Sequence, residues 1–230
     1  MRSADKAPDD TTQVSLVYHG IKQSILNGTY PPGTPLRLKM LSEDQGGSHI
    51  PIREALRRLE AERLVENVPN KGARVMQLSL GDLDDLYLTR SSLEADAVQR
   101  AAEHINPKAV RQLTVLAEEM NEAFAEGDED AFLTAHRRVH FGIYDLAHSE
   151  WLDHLIPILW TQSIRYRAIA KARRSSTEIR VEHQAVIDAL ARGDATAAAE
   201  SMRRHLSRTA GLVREYFAEV EGDESTPQLA

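Results

Sequence analysis

From Leu64 onward the hydrophobic pattern changes its period, and this change constrains the fold more than any other feature of the chain. Up to that point apolar residues recur at helical spacing, whereas Leu64-Val65-Glu66-Asn67-Val68 and Ala73-Arg74-Val75-Met76 are short β-like runs joined by Pro69-Asn70-Lys71-Gly72. Those four residues suit a turn that takes positive φ, so the segment reads as one small hairpin with a basic tip. Before it, Val14, Val17, Tyr18, Ile21 and Ile25 mark a first helix, ended by Gly28 and Pro31-Pro32-Gly33. A short second helix follows around Leu36, Met40 and Leu41, then a Gly46-Gly47 turn, with Ser48 as N-cap and Pro51 in the first turn of a third helix. That helix buries Ile52, Ala55, Leu56 and Leu59 and turns His49, Ile50, Arg53 and Arg57 outward. Helix, helix, turn, helix and hairpin together predict a winged helix-turn-helix.

Beyond Gln77 the chain reads as helix almost to its end, broken at Asn106-Pro107, Gly127-Asp128, near Ser149, near Ser175-Ser176 and at Gly193-Asp194. These breaks predict about six helices in a bundle, and the fold class is mainly α. We therefore expect a tail over 1–12, a DNA-binding domain over 13–77, a helical domain over 78–220 and a second tail over 221–230, both tails disordered. Two domains fit a chain of 230 residues. No apolar run approaches the ~20 residues that cross a bilayer, and the N-terminal stretch lacks an apolar core for export. With no cysteine, a metal site must draw on His, Asp or Glu. The expected location is the cytoplasm.

A net charge of −7 argues at first against nucleic acid, because Lys and Arg supply most of the affinity for phosphate. The charge is divided unevenly, however. Residues 1–76 hold 11 basic against 9 acidic side chains, and residues 77–230 hold 17 against 26. The basic residues of the first part cluster as Arg53, Arg57, Arg58, Arg63, Lys71 and Arg74, a placement that suits DNA. Outward arginines on one helix are by themselves an ordinary solvated face. The turn before them and the wing after them turn them into a candidate reading head.

Here the residues are also familiar. ILNGTYPPGTPL, SHIPIREALRRLEAERLV and NKGARV closely resemble the winged-helix domain of the GntR family of bacterial transcription factors. By position, the resemblance implies DNA contacts from Lys39, from Ser48 and His49, from Arg53, and from Lys71 with Gly72. His49 replaces the family's usual arginine and Ile50 a common threonine. A largely neutral imidazole is a weaker phosphate or guanine partner, and Ile50 suits a thymine methyl.

In the helical part, His136 and His140 lie four residues apart and share one face. His183 lies ten residues before Gly193 and His205 eleven after Asp194. In an antiparallel hairpin both stand at the same height above the turn, which allows them to face each other. Spacing alone leaves a metal site and unconnected surface histidines both open. HRRVHFGIYDLAH and VEHQAVIDALARGDATAAAESMRRHL resemble the FCD domain of the FadR subfamily, in its shorter, VanR-like group, where one aspartate and three histidines commonly bind Zn, Ni or Mn. The three histidines map onto His140, His183 and His205, and His136 stands at the aspartate's position. Four imidazoles favour Zn, then Ni, over Mn, and leave the metal's charge for an anionic ligand to balance.

The resemblance also places Arg90 near the effector, where a guanidinium clamps a carboxylate; the competing reading is a surface salt bridge with Glu94. The basic run Arg165, Arg167, Lys171, Arg173 and Arg174 reads as a solvated face. The expected function is a transcriptional repressor that binds a palindromic operator as a homodimer and answers to a small organic acid bound at the metal site. An effector sensor without metal and a helical metal-dependent hydrolase are the alternatives, although HRRVH lacks the glutamate of a catalytic HExxH.

Overall fold

The computed structural model describes residues 13–46, 48–69 and 71–222, so the tail expected over 1–12, all but the first two residues of the tail expected over 221–230, and Gly47 and Asn70 of the two expected turns lie outside the described residues. The chain divides into two compact units between Ser79 and Leu80.

The first unit begins with α1 (Gln13–Leu26), whose Val17, Ile21 and Ile25 recur every fourth residue and are buried on one stripe. α2 (Leu38–Gln45) and α3 (His49–Ala61) follow. Ser48 occupies the N-cap of α3 in extended backbone, but its side chain makes no capping hydrogen bond. Helix α3 buries Pro51, Ile52, Ala55, Leu56 and Leu59. Strands β1 (Val65–Val68) and β2 (Gly72–Val75) pair antiparallel, with Val65 opposite Val75 and Val68 opposite Gly72. A two-stranded ribbon is marginal by itself. Here β2 gains a second neighbour, because Leu36 N donates to Ala73 O at 2.8 Å and Val75 N to Thr34 O at 3.0 Å. Val65 and Val75 join Val17, Ile21, Ile25, Leu41, Ile52 and Leu59 in one buried cluster, which ties the hairpin to all three helices.

The second unit contains six helices among the described residues: α4 (Leu80–His104), α5 (Pro107–Glu126), α6 (Glu129–Tyr144), α7 (Glu150–Lys171), α8 (Ser176–Ala191) and α9 (Ala195–Gly222). Helix α9 runs two residues past the boundary expected at 220. Each break in the sequence is a cap. Asn106 accepts from the backbone of Lys108 and Ala109, Asp128 from Ala131, and Ser149 from Leu152. Ser175 and Glu178 form a reciprocal capping box at the start of α8. Gly193, at φ 69°, takes the left-handed turn between α8 and α9, and Asp194 then accepts from Ala197 N at 2.9 Å. None of the described helices is long and apolar enough to cross a membrane.

Ile52 is fully buried at the centre of the first cluster. Replacing it with alanine is expected to cost about 2–5 kcal/mol, read as a lower urea midpoint for the winged unit. A loss under about 1 kcal/mol would mean that α3 is not the element around which this core packs.

Candidate functional site

Two groups of sequence-predicted residues occupy the two units. In the first unit, Lys39, Ser48, His49, Ile50, Arg53, Arg57, Lys71 and Gly72 are all exposed. Ile50 is 80% exposed, unusual for a large aliphatic side chain on a well-packed helix. Gly72 opens β2 at φ 81°, a conformation that costs other residues energy. Of the basic cluster, Arg57 is held by Glu54 through two hydrogen bonds of 3.1 and 2.9 Å, Arg58 lies 3.5 Å from the same carboxylate, and Arg74 pairs with Glu66 at 2.8 Å. Arg53 and Lys71 have no ion-pair partner among the described residues, and so are the cations most available to an external phosphate or base.

In the second unit, α6 delivers His136 and His140, α8 His183 and α9 His205, and all four are buried. One nitrogen of each lies within 4.8 Å of the others'. The His183 and His205 rings, drawn level by the α8–α9 hairpin, have centroids 4.6 Å apart, as do His136 and His140.

Their hydrogen bonds fix which nitrogen carries the proton. His183 Nδ1 lies 2.7 Å from Ile179 O, which only accepts. His205 Nδ1 lies 2.8 Å from the Glu182 carboxylate. Tyr144 donates to Glu94 at 2.5 Å, so its oxygen is left to accept from His140 Nδ1 at 2.8 Å. In these three rings the proton sits on Nδ1 and Nε2 carries a lone pair. The Nε2 atoms of His140 and His183 stand 3.1 Å apart, two lone pairs facing each other without a donor between them. Imidazole nitrogens bound to one ion at about 2.0–2.1 Å stand roughly 3.0–3.4 Å apart. The donor set therefore fits a divalent cation, and these four buried histidines can hold one.

His136 differs from the other three. Its Nδ1 lies 3.1 Å from Arg167 Nη1, and a guanidinium only donates, so this Nδ1 accepts and the ring's proton sits on Nε2. Lending a lone pair to an ion from either nitrogen of the neutral ring requires Arg167 to give up Nδ1.

Burial is the main reason that the imidazoles stay neutral. It pushes His136 and His140 well below the ordinary value, with Arg167 adding to the effect at His136 and the neighbouring histidines at His140. His183 is held down to about 3, and His205 is lowered as well, although the Glu182 carboxylate works in the opposite direction. Glu182 itself is held at about 2 by His205 and Arg174, against the effect of burial.

Arg90 is buried, and Glu94 holds it through Nε at 2.6 Å and Nη2 at 3.3 Å. The pairing with Glu94 anticipated as a surface salt bridge is therefore an interior one, and it occupies the edge with which Arg90 would clamp a carboxylate. Its Nη1 is buried with no hydrogen-bond partner. The basic run on α7 is not a solvated face: Arg165 is 7% exposed, and Arg167 lies with Cζ 4.0 Å over the Trp160 ring. The reason is helical spacing. Arg167 follows the buried Trp160 and Ser163 seven and four residues on, at the half-buried edge of the inward face of α7. Sequence reasoning also passed over Tyr144, although it continues the 136, 140, 144 series on one face of α6.

In metal-free protein the acid side of the stability profile follows from these protonation states. An unfolded imidazole takes a proton near 6.5, whereas folded His183 resists it down to about 3. Between those values the unfolded chain binds more protons, so stability falls as pH falls, by about 1.4 kcal/mol per pH unit for each such histidine. Glu182 acts in the same direction, losing its contribution as pH falls from about 4.5 to about 2. Melts of chelator-treated protein are expected to drop steeply from pH 6.5 towards 4. A flat profile would mean that the cluster is not buried and neutral.

The chain resembles known proteins over both units. Residues 13–75 match the family described as bacterial regulatory proteins, gntR family, and residues 85–208 match the FCD domain. A helix-turn-helix transcriptional regulator of Bacillus subtilis strain 168, YdhC, is 30% identical over 140 residues, 60% of this chain and 62% of that protein. The transcriptional repressor GlaR of Escherichia coli K12 is 28% identical over 211 residues, 87% of this chain and 96% of the repressor. The solved structure of E. coli McbR/YncC superposes with a TM-score of 0.73 at 23% identity, covering 90% of this chain and 99% of that one, a likeness of fold. With one matched domain in each unit, the chain belongs to the GntR family of transcriptional regulators, a family of DNA-binding proteins rather than enzymes, in the FadR-like branch whose C-terminal domain is FCD.

Proposed function

We propose that the protein is a repressor that grips a palindromic operator as a homodimer and releases it in response to an organic acid bound at a metal in the helical domain. The reading assigns DNA binding to residues 13–77 and sensing to 78–220, and places the chain in the shorter, VanR-like group. The observation that carries it is the set of three buried Nε2 lone pairs on His140, His183 and His205, which no donor among the described residues meets. His136 completes the set as fourth ligand when Arg167 gives up Nδ1. Four imidazoles suit Zn first and Ni second, and such an ion would supply a Lewis-acidic seat for a carboxylate oxygen.

The neutral ligand set leaves the ion's charge to be balanced from outside the protein's own ligands. The nearest carboxylates, Glu94 and Glu182, are already committed to Arg90 and Arg174. An anionic effector fits that deficit, and Arg90 offers it Nη1. On the DNA side, Arg53 is assigned to base edges, with Ser48, His49 and Ile50 beside it, while Lys39, Arg57 and Lys71 with Gly72 hold the backbone. Two recognition helices one helical turn of DNA apart require two copies. Repression is the activity named for the E. coli relative GlaR, and an operator-binding protein of this kind acts in the cytoplasm.

Protein purified without a nickel column and then supplemented with Zn is expected to retain about one ion per chain by elemental analysis, and His140→Ala or His183→Ala to lose it. Fewer than about 0.2 ions per chain in the unsubstituted protein would remove the metal from this reading and leave an effector sensor whose histidines bind the acid directly. For the operator, Arg53→Ala is expected to abolish the gel shift at unchanged melting temperature, a loss of about 1–3 kcal/mol per lost base contact in each half-site. Unchanged binding would refute α3 as the reading helix.

A further inference from the structure

We infer that Arg167 is the hook for a second acidic group, so that the effector is a small dicarboxylate rather than a monocarboxylic acid. The inference rests on the proposal that an organic acid binds beside the histidines, and it concerns which acid. Arg90 and Arg167 approach one ring: their Cζ atoms lie 5.5 and 4.0 Å from the centroid of Trp160. Arg90 Nη1 and Arg167 Nε are both buried without a hydrogen-bond partner, and the Tyr87 hydroxyl beside Arg90 is buried without a hydrogen bond of normal geometry. These are donors only, or a hydroxyl free to donate, and no acceptor among the described residues meets them.

The charges are unequal in the same place. Glu94 is bound to Arg90 by two hydrogen bonds and to Tyr144 by a third. Among the described residues Arg167 has no carboxylate within ion-pair distance, and its hydrogen bond goes to the neutral His136. A half-buried guanidinium whose Nε is shut off from water without an acceptor is unfavourable, and the partner it lacks is a planar carboxylate that takes two of its N–H groups. One carboxylate serves Arg90 Nη1 and the histidine cluster. A second, on the same molecule, serves Arg167 across the Trp160 face. When His136 lends its lone pair elsewhere, Arg167 loses the one hydrogen bond it makes among the described residues, which strengthens its demand for that second group.

The test is calorimetric titration of the zinc-supplemented full chain with succinate, with butyrate of equal length, and with inorganic phosphate. Succinate is expected to bind about tenfold or more tightly than butyrate. Arg167→Gln is expected to bring succinate down to the level of butyrate while butyrate changes by less than about threefold, and Arg90→Gln to weaken both. Arg167→Lys, which keeps the charge and the stem over Trp160 but loses Nε, is expected to retain an intermediate preference, and this holds the test open if the glutamine variant does not fold. Equal losses for succinate and butyrate in the Arg167 variants, or no loss, would overturn the second hook and leave the acid-effector reading standing. Phosphate binding that depends on Arg167, with no binding of succinate, would overturn it in favour of a single tetrahedral anion. If neither acid binds while zinc does, the acid-effector reading itself fails.

Discussion

The polar interior of the helical unit is arranged around four buried, neutral imidazoles. A buried imidazole is costly unless its N–H has an acceptor, and the acceptors that meet His140 and His205 have their own support. Tyr144 accepts from His140 because it donates its own hydroxyl proton in a hydrogen bond to Glu94, and the Glu94 carboxylate is in turn paired with Arg90 at 2.6 Å. Glu182 accepts from His205 and is balanced by Arg174. Removing any member leaves a buried polar group without its partner, which costs more than the lost bond contributes. Five helices, α4, α6, α7, α8 and α9, are thereby held to one geometry through side chains whose requirements are directional, where apolar packing alone would allow sliding.

Helix register transmits this precision. The α8–α9 turn has only Gly193 in the left-handed conformation and Asp194 as cap, so the number of residues from His183 to His205 determines both their heights and the directions in which they point. One inserted residue in α9 would swing His205 by about 100° around its axis and break its bond to Glu182. The capping box at Ser175 and Glu178 fixes the other end of α8 in the same way. The caps thus act on the site as well as on the helices.

This explains what could be seen in the sequence. The turns, the hairpin and the caps are local chemistry written in Gly, Pro, Asn, Asp and Ser, and the structure places helix ends at those residues. The pairing of His183 with His205 was visible because a hairpin converts equal sequence distances into equal heights. Arg167 was obscured because five basic residues in ten look like a solvated face until the helix is wound, when the residue falls under Trp160 and beside His136. The Arg90–Glu94 pair was visible as an i,i+4 spacing, but its environment was not: the same two residues make a weak surface bridge or a buried one depending on helices far away in sequence. Long-range burial is the quantity that a local reading lacks.

The DNA-facing unit presents the opposite problem, too little charge. Arg57, Arg58 and Arg74 already face carboxylates of their own unit, so among the residues proposed to meet phosphate and bases the exposed cations without an ion pair among the described residues are Lys39, Arg53 and Lys71. A few contacts release few counterions and give weak binding at cellular salt. Doubling the set by pairing two copies on one site multiplies the small affinity of each, since the second contact is then made at high effective concentration. On the proposed dimeric reading, such a regulator would depend on the pairing of its copies more than a strongly basic one, and an effector would need to change only the spacing or the freedom of the two reading heads, by a modest coupling energy, to release the operator.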